Sequence, residues 1–294
     1  MFVFIRIYRS VACPSVETAH HTWDALKRRK AKRAVMKLGF IGTGVITEAI
    51  ITGLVKSDYP VSDIFISLRN HKVSKRLAMM SSKIQVLDAN QAIVDQSDMI
   101  FLAVLPQQAK EVLTPLTFGD LAQIVSLIAT IPIGKLREWT SPTAPLSRAV
   151  PLPIVANHNG ITTVFPPSQN VQELFGHLGN VVPIETIETF DAFVVASATM
   201  GLYFDTLETM AQWLCTKGAD YKDARTYLSA LNNGLAQTAT TQTELGFAQL
   251  RQGHSTPNGL NQHVVEQFRA NGGHDAVLAA FESVKNHMQK LCET

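Results

Sequence analysis

At 294 residues the chain reaches the length at which single cores stop growing, about 250–300 residues, so two domains are expected, and a hydrophobic share of 46% against 17% charged excludes disorder. A net charge of +2, with no basic stripe interleaved with aromatics in the globular part, speaks against a nucleic-acid partner. No apolar run reaches the roughly 18 residues that span a bilayer, so no membrane partner is expected; Cys13, Cys215 and Cys292 form no CxxC pair, which excludes a disulfide scaffold, indicates no metal site and fits a reducing, cytoplasmic setting.

The first 35 residues differ from the rest. Arg6, Arg9, Lys27, Arg28, Arg29, Lys30, Lys32 and Arg33 stand against only Glu17 and Asp24, whereas Met36 opens a strand that suits a chain start. Residues 1–35 therefore read as an extension, either an upstream start or a disordered tail, with a basic targeting segment or a nucleic-acid-binding arm as the alternatives.

From Met36 the texture is that of an α/β sheet. Leu38 to Ile41 reads as a buried strand, followed by the turn Gly42-Thr43-Gly44 and a helix opening at Val45, Ile46 and Thr47. That is the anatomy of a dinucleotide site: Gly42 for a tight turn, Gly44 to admit a pyrophosphate to the backbone, Thr47 as the third small residue, and helix amides at Val45 and Ile46 to receive the charge. A glycine triad alone also describes an ordinary strand-to-helix turn; the apolar strand before it and the alternating elements after it favour the nucleotide.

Further strands are expected at Ile64 to Ser67, Ile84 to Leu87, Met99 to Val104, Ile124 to Ile128 and Ser147 to Val150, with Thr162 to Phe165 and Val181 to Ile184 as additions. Uninterrupted apolar runs such as Met99-Ile-Phe-Leu-Ala-Val104 fit parallel strands covered on both faces. After Glu188 the pattern turns helical, over 189–216, 221–250, 258–270 and 274–291. The expected architecture is a doubly wound Rossmann-type α/β domain over 36–187, followed by an all-α domain over 188–294.

The end of the second strand speaks to cofactor choice. An acid there favours NAD, an arginine the 2′-phosphate of NADP. The sequence is Ile66-Ser-Leu-Arg-Asn-His-Lys72, without a carboxylate, so Arg69, helped by Asn70, points to NADP. Elsewhere the readings are structural. His254, His263 and His274 are too irregularly spaced for a metal set. Met200, Tyr203, Phe204, Leu207 and Met210 recur at helical spacing and read as core or subunit interface.

The order of Gly42-Thr-Gly44, Ser67-Leu-Arg69-Asn70, Ser97-Asp-Met-Ile-Phe-Leu-Ala-Val-Leu-Pro-Gln107, Ile124-Val-Ser-Leu-Ile-Ala129, Arg148-Ala-Val-Pro151 and Ser255-Thr-Pro-Asn-Gly259 resembles the pyrroline-5-carboxylate reductase family over nearly all of 36–290. The resemblance implies a Rossmann domain followed by a helical dimerisation domain, and NADPH-dependent reduction of a cyclic imine, 1-pyrroline-5-carboxylate, to proline. It implies that Ala103, Val104, Leu105 and Pro106 pass beside the cofactor, and that the loop 255–261 binds substrate. In that loop Thr256 and Asn261 match the positions expected at the reacting end, with Asn261 as a donor, and Ser255, Asn258 and Gly259 hold the substrate. The implied assembly is a homodimer or a larger homo-oligomer, with the site between two subunits.

The chain departs from the family where substrate is held. Leu105 replaces the usual Lys, Val150-Pro-Leu-Pro153 lacks an asparagine, Ser197-Ala-Thr-Met-Gly-Leu-Tyr203 replaces a glycine-rich segment, and Pro257-Asn-Gly-Leu-Asn261 replaces a Pro-Gly-Gly-Thr-Thr loop. Hydride transfer to a C=N carbon is cofactor chemistry that asks the protein for alignment and a proton, not for a triad. A related cyclic imino acid as substrate, or a non-catalytic NADP-binding homologue, stays open beside pyrroline-5-carboxylate. For Ser255-Thr-Pro257 a plain helix cap is the alternative to a substrate role.

Overall fold

The computed structural model describes residues 35–293; the extension expected at 1–35 thus falls, but for Val35, outside the described residues. Eight strands form one sheet: β1 (Met36–Ile41), β2 (Val61–Ser67), β3 (Ile84–Leu87), β4 (Met99–Leu102), β5 (Gln123–Ser126), β6 (Leu146–Pro151), β7 (Gly160–Phe165) and β8 (Gly179–Pro183). Their order is β3-β2-β1-β4-β5-β6-β7-β8. Strands β1 to β6 run parallel in the doubly wound order, β7 turns antiparallel to β6, and β8 is parallel to β7. Helices α1 (Val45–Lys56), α2 (His71–Ala78), α3 (Asn90–Gln96), α4 (Pro106–Leu113), α5 (Ile133–Trp139) and α6 (Gln169–Gly176) make the connections, with a 3-10 turn at Pro153–Asn157. The winding reverses between β1 and β4, which opens a crevice at their carboxyl ends.

The apolar strands divide their side chains between two cores because successive residues point to opposite faces. Leu38, Phe40 and Phe101 join one cluster, while Ile41, Ile100 and Leu102 join the other. Phe40 stacks on Phe101 with ring centroids 4.5 Å apart, and Phe175 of α6 meets Phe101 edge-on at 6.3 Å. With both faces covered, no polar alternation is needed, which is why these strands read as continuous apolar runs.

Beyond the sheet the chain is helical: α7 (Ile187–Ser197), α8 (Thr199–Thr216), α9 (Tyr221–Thr241), α10 (Phe247–Gly253), α11 (Leu260–Ala270) and α12 (Gly273–Glu293). Helix α7 anchors this part to the sheet, its Phe190, Val194 and Val195 packing with Ile184 and with Met288 from the returning α12. Helices α8 and α9 pair through Ala211, Ala224 and Leu228. Outside these contacts large apolar residues lie exposed, among them Phe204 and Trp213 on α8, Tyr227 on α9 and Val264 on α11.

Several expected elements are corrected in detail. The helix expected over 189–216 breaks at Ala198, where Ser197 Oγ donates to the Val194 carbonyl and Thr199 Oγ to that of Ala196, local bonds that compete with the helical ladder. The stretch 221–250 divides into α9 and α10, because Gly246 starts a new helix with its amide held by Gln249. Strand β4 stops at Leu102, not Val104: the next residues carry the chain toward Pro106, which takes the first position of α4.

Candidate functional site

The turn after β1 has the geometry of an anion cradle. Gly42 has φ +106°, and a Cβ there would lie 2.4 Å from the Ala103 carbonyl oxygen, so the end of β4 sits against the bare backbone. Thr47, fully buried, donates from its hydroxyl to the Gly42 carbonyl at 2.8 Å and closes the turn from inside. Gly44, by contrast, has nothing within 4 Å of an added Cβ. It is the N-cap of α1, whose first i−4 bond is Glu48 N–H to Gly44 at 3.0 Å. The amides of Val45, Ile46 and Thr47 therefore precede the helical ladder at the positive end of its dipole. A cradle with open space above a Cβ-less residue and helix amides beside it fits the pyrophosphate of a dinucleotide.

Glu48, in the same first turn, would oppose such a charge. Its carboxylate is gripped by Arg76 of α2, Nε to Oε1 at 2.5 Å and Nη2 to Oε2 at 2.7 Å. That hydrogen bond, aided by the Arg76 charge and opposed by burial, holds the Glu48 carboxyl below its usual range.

Thr43 ties the glycine turn to the turn after β2. Its hydroxyl donates to the Ser67 carbonyl at 3.2 Å and accepts from the Asn70 amide at 3.4 Å, while Ser67 Oγ accepts from the Gly42 amide at 3.0 Å. Asn70 caps α2, its side chain accepting from the Val73 amide at 3.3 Å, so that side chain serves the helix. Arg69 is exposed and lines a cleft of about 340 Å³ together with Gly42, Ser67, His71, Asp88 and Asn90, closed on its apolar side by Val104 and Val112. Asp88, missed by the sequence reading, comes from the end of β3, which pairs with β2 through Ser67 and Leu87.

At the end of β4 the four residues expected beside the cofactor occupy distinct places. Ala103 bonds its amide to the Ile41 carbonyl at 2.8 Å, Val104 is buried, Leu105 is 63% exposed, and Pro106 opens α4. Beside them runs the loop after β5, joined to β4 by the Leu127 amide on the Leu102 carbonyl at 2.9 Å.

Arg148 of β6 is a second residue whose role the sequence did not disclose. It is buried, donates from Nη2 to the Ala129 carbonyl at 2.5 Å and from Nη1 to Asp191 at 3.4 Å, and lies 4.6 Å from the Phe190 ring centre. One guanidinium thus joins the β5 loop to α7. It lines a cleft of about 860 Å³ with Thr130, Asp191 and, from α12, Lys285 and Met288. The signal for it was Arg148 itself, a charge inside an apolar strand, which folds only with partners.

The loop 255–261 is not brought to the glycine turn by its own hydrogen bonds, which all close within the neighbourhood. Ser255 Oγ donates to the Arg251 carbonyl at 2.8 Å, Asn258 N–H to Gln262 Oε1 at 3.1 Å, and Gly259 N–H to the Thr256 carbonyl at 2.9 Å. The two amides expected to hold a carboxylate, those of Asn258 and Gly259, are thereby engaged, and the amides that precede the ladder of α11 belong to Leu260, Asn261 and Gln262. Asn261 donates one side-chain N–H to the His254 carbonyl at 2.6 Å, which fixes the carboxamide and leaves its second N–H and its oxygen for other partners. Thr256 is exposed. The capping alternative for Ser255-Thr-Pro257 is also corrected: α11 starts at Leu260 with Gly259 as its N-cap, and Asn258 takes φ +59° to make the turn.

Comparison with known proteins meets this geometry at both ends. The family model described as NADP oxidoreductase, coenzyme F420-dependent, matches residues 37–130, which hold the glycine turn and the cleft. The model described as pyrroline-5-carboxylate reductase dimerisation matches residues 188–291, which hold the helices and the loop. A pyrroline-5-carboxylate reductase of Haemophilus influenzae is 25% identical over 264 residues, 86% of this chain and 97% of that one. Among solved structures, the 1-pyrroline-5-carboxylate reductase of Streptococcus pyogenes superposes with a TM-score of 0.75 at 22% identity, over 87% of this chain and 98% of that one. A pyrroline carboxylate reductase of Plasmodium falciparum with NADP bound gives 0.74 at 17%, over 87% and 98%. With the nucleotide turn and the helical segment each matched in the same chain order, and with relatives alike from end to end, the chain belongs to the pyrroline-5-carboxylate reductase family.

Proposed function

We propose that the protein is an oxidoreductase that uses NADPH to reduce a cyclic imine, with 1-pyrroline-5-carboxylate converted to L-proline as the leading reaction. The observation that carries this reading is the β1–α1 turn, where Gly42 is required by φ and contact and Gly44 leaves open space at a helix N-terminus. When bound, NADPH supplies the hydride that the imine carbon accepts. The protein's own part is to hold and align. The amides of Val45, Ile46 and Thr47 take the pyrophosphate, Arg69 takes the 2′-phosphate, and residues 103–106 with the loop after β5 border the nicotinamide half.

Residues 36–187 hold the nucleotide in this reading, and the helices of 188–294 pair with those of a second copy. Support comes from Phe204, Trp213, Tyr227 and Val264, large apolar side chains that stay exposed on three of these helices. The paired helices bring loop 255–261 of one subunit toward the nicotinamide of the other, where the Thr256 hydroxyl accepts from the single N–H of a protonated ring nitrogen and Asn261 donates its second side-chain N–H to the substrate carboxylate. Among the described residues no helix is long and apolar enough to cross a membrane; the cytoplasm is the place of action in this reading.

The test is NADPH oxidation with pyrroline-5-carboxylate and a panel of five- and six-membered cyclic imino acids, with sedimentation for the oligomeric state. Turnover by a dimer or larger assembly, reduced by Asn261→Ala without change in NADPH affinity, is expected. Tight NADPH binding with no turnover of any imine would instead favour the non-catalytic homologue, a reading that draws on Leu105 standing exposed where the family has Lys.

A further inference from the structure

The turn after β2 offers a guanidinium and no acid, yet the cleft it faces is not simply basic. Strands β2 and β3 pair in parallel with Ser67 opposite Leu87, which puts Arg69, two residues beyond Ser67, beside Asp88, one residue beyond Leu87. Adjacent strands are about 4.8 Å apart, so the two side chains rise from neighbouring points on one rim. Both line the 340 Å³ cleft, and the third ionisable residue lining it is His71. Lys72 and Lys75 lie further along α2 and do not line it. Among the described residues neither Arg69 nor Asp88 has a hydrogen-bond or ion-pair partner, so both charges are available to a ligand. The lining thus sets one acid, Asp88, against one guanidinium, Arg69.

Resting on the NADP reading above, we propose that Asp88 is a specificity-determining residue. It opposes Arg69 at the 2′-position of the adenosine ribose, limits the preference for the 2′-phosphate, and lets the protein take NADH as well as NADPH. An acid on β2 would normally accept a hydrogen bond from a ribose 2′-hydroxyl. Here the fold delivers the carboxylate one strand over. A phosphate in the cleft is attracted by Arg69 and repelled by Asp88, whereas a bare 2′-hydroxyl finds an acceptor.

The experiment is equilibrium titration of the full chain with NADPH and with NADH, followed by cofactor fluorescence, for the wild type, Asp88→Asn and Asp88→Glu. Asp88→Asn is expected to tighten NADPH binding roughly threefold while leaving NADH binding unchanged or weaker, the size expected for one charge on a phosphate dianion about 7 Å away in physiological salt. Asp88→Glu keeps the charge and is expected to keep the wild-type ratio of the two dissociation constants. The gain of Asp88→Asn should also shrink as salt is raised, which a purely structural effect would not do. A ratio that Asp88→Asn leaves unchanged, or a shift of both cofactors together, overturns the assignment of Asp88 while the NADP reading stands. A wild type that binds neither cofactor overturns both.

Discussion

Gly42→Ala and Gly44→Ala differ by one methyl at positions two residues apart, yet the structure assigns them opposite consequences. At Gly42 the methyl meets two costs. With φ at +106° an alanine is held in a sparsely populated region, worth about 1–3 kcal/mol, and its Cβ lies 2.4 Å from the Ala103 oxygen and 2.7 Å from the Ala103 carbonyl carbon. Those neighbours are backbone, so relief requires moving the ends of β1 and β4 apart, which overpacking estimates put at about 1–3 kcal/mol more. A total near 3–4 kcal/mol corresponds to a fall in Tm of roughly 6–15 °C for a domain of this size. At Gly44 φ is −94° and the methyl meets nothing, so Tm should stay within about 1 °C of wild type. The same methyl enters the space assigned to the pyrophosphate and should raise the Kd for NADPH about tenfold or more, some 1.4 kcal/mol. Differential scanning fluorimetry without cofactor, paired with fluorescence titration of NADPH, separates the two outcomes. A Gly44→Ala protein that binds NADPH as well as wild type would refute the cradle, and a Gly42→Ala protein of unaltered Tm would refute the close approach of β4.

Three further outcomes are expected. Wild type should bind NADPH more tightly than NADH, by a margin that Asp88 keeps modest, and Arg69→Glu should reverse the order; an Arg69→Glu protein that keeps the wild-type ratio of the two dissociation constants, measured by the same titration, would remove Arg69 from the site. Arg148→Met should lower stability by about 2–3 kcal/mol in urea unfolding, below the usual cost of breaking a buried pair because Asp191 is partly exposed and can hydrate its charge, and should raise KM for the imine through the freed β5 loop. An unchanged unfolding midpoint would show that the clamp does not hold α7. Glu48 titrates below its ordinary 4.5, so its contribution to stability is fully present above that pH and is lost as pH falls through the lowered value. Glu48→Gln should therefore flatten the acid limb of a Tm-against-pH curve while leaving neutral pH nearly unaffected, Arg76 being exposed and the pair screened; an acid limb identical to wild type would show that the pair adds nothing.

The parts of this protein legible in its sequence are those decided within a few residues. Strands β1 and β4 show because burial on both faces leaves an uninterrupted apolar run, and the Gly42 turn shows because a positive φ and a vanishing side chain are demands one residue must meet alone. Arg69 shows because the end of β2 is a fixed place relative to that turn. The break at Ala198 was invisible, since Ser197 and Thr199 are ordinary helix residues until their hydroxyls turn back on the helix. Asn261 read as a donor, and only the folded loop shows that one of its two N–H groups closes on the His254 carbonyl. Asp88 and Arg148 required more. Asp88 lines the same cleft as Arg69 because β3 pairs beside β2, and Arg148 meets Asp191 from 43 residues away because β6 and α7 pack together. Periodicity and backbone conformation are written locally in the chain, whereas the charge that stands opposite another is set by strand order and helix packing, which arise from the fold as a whole.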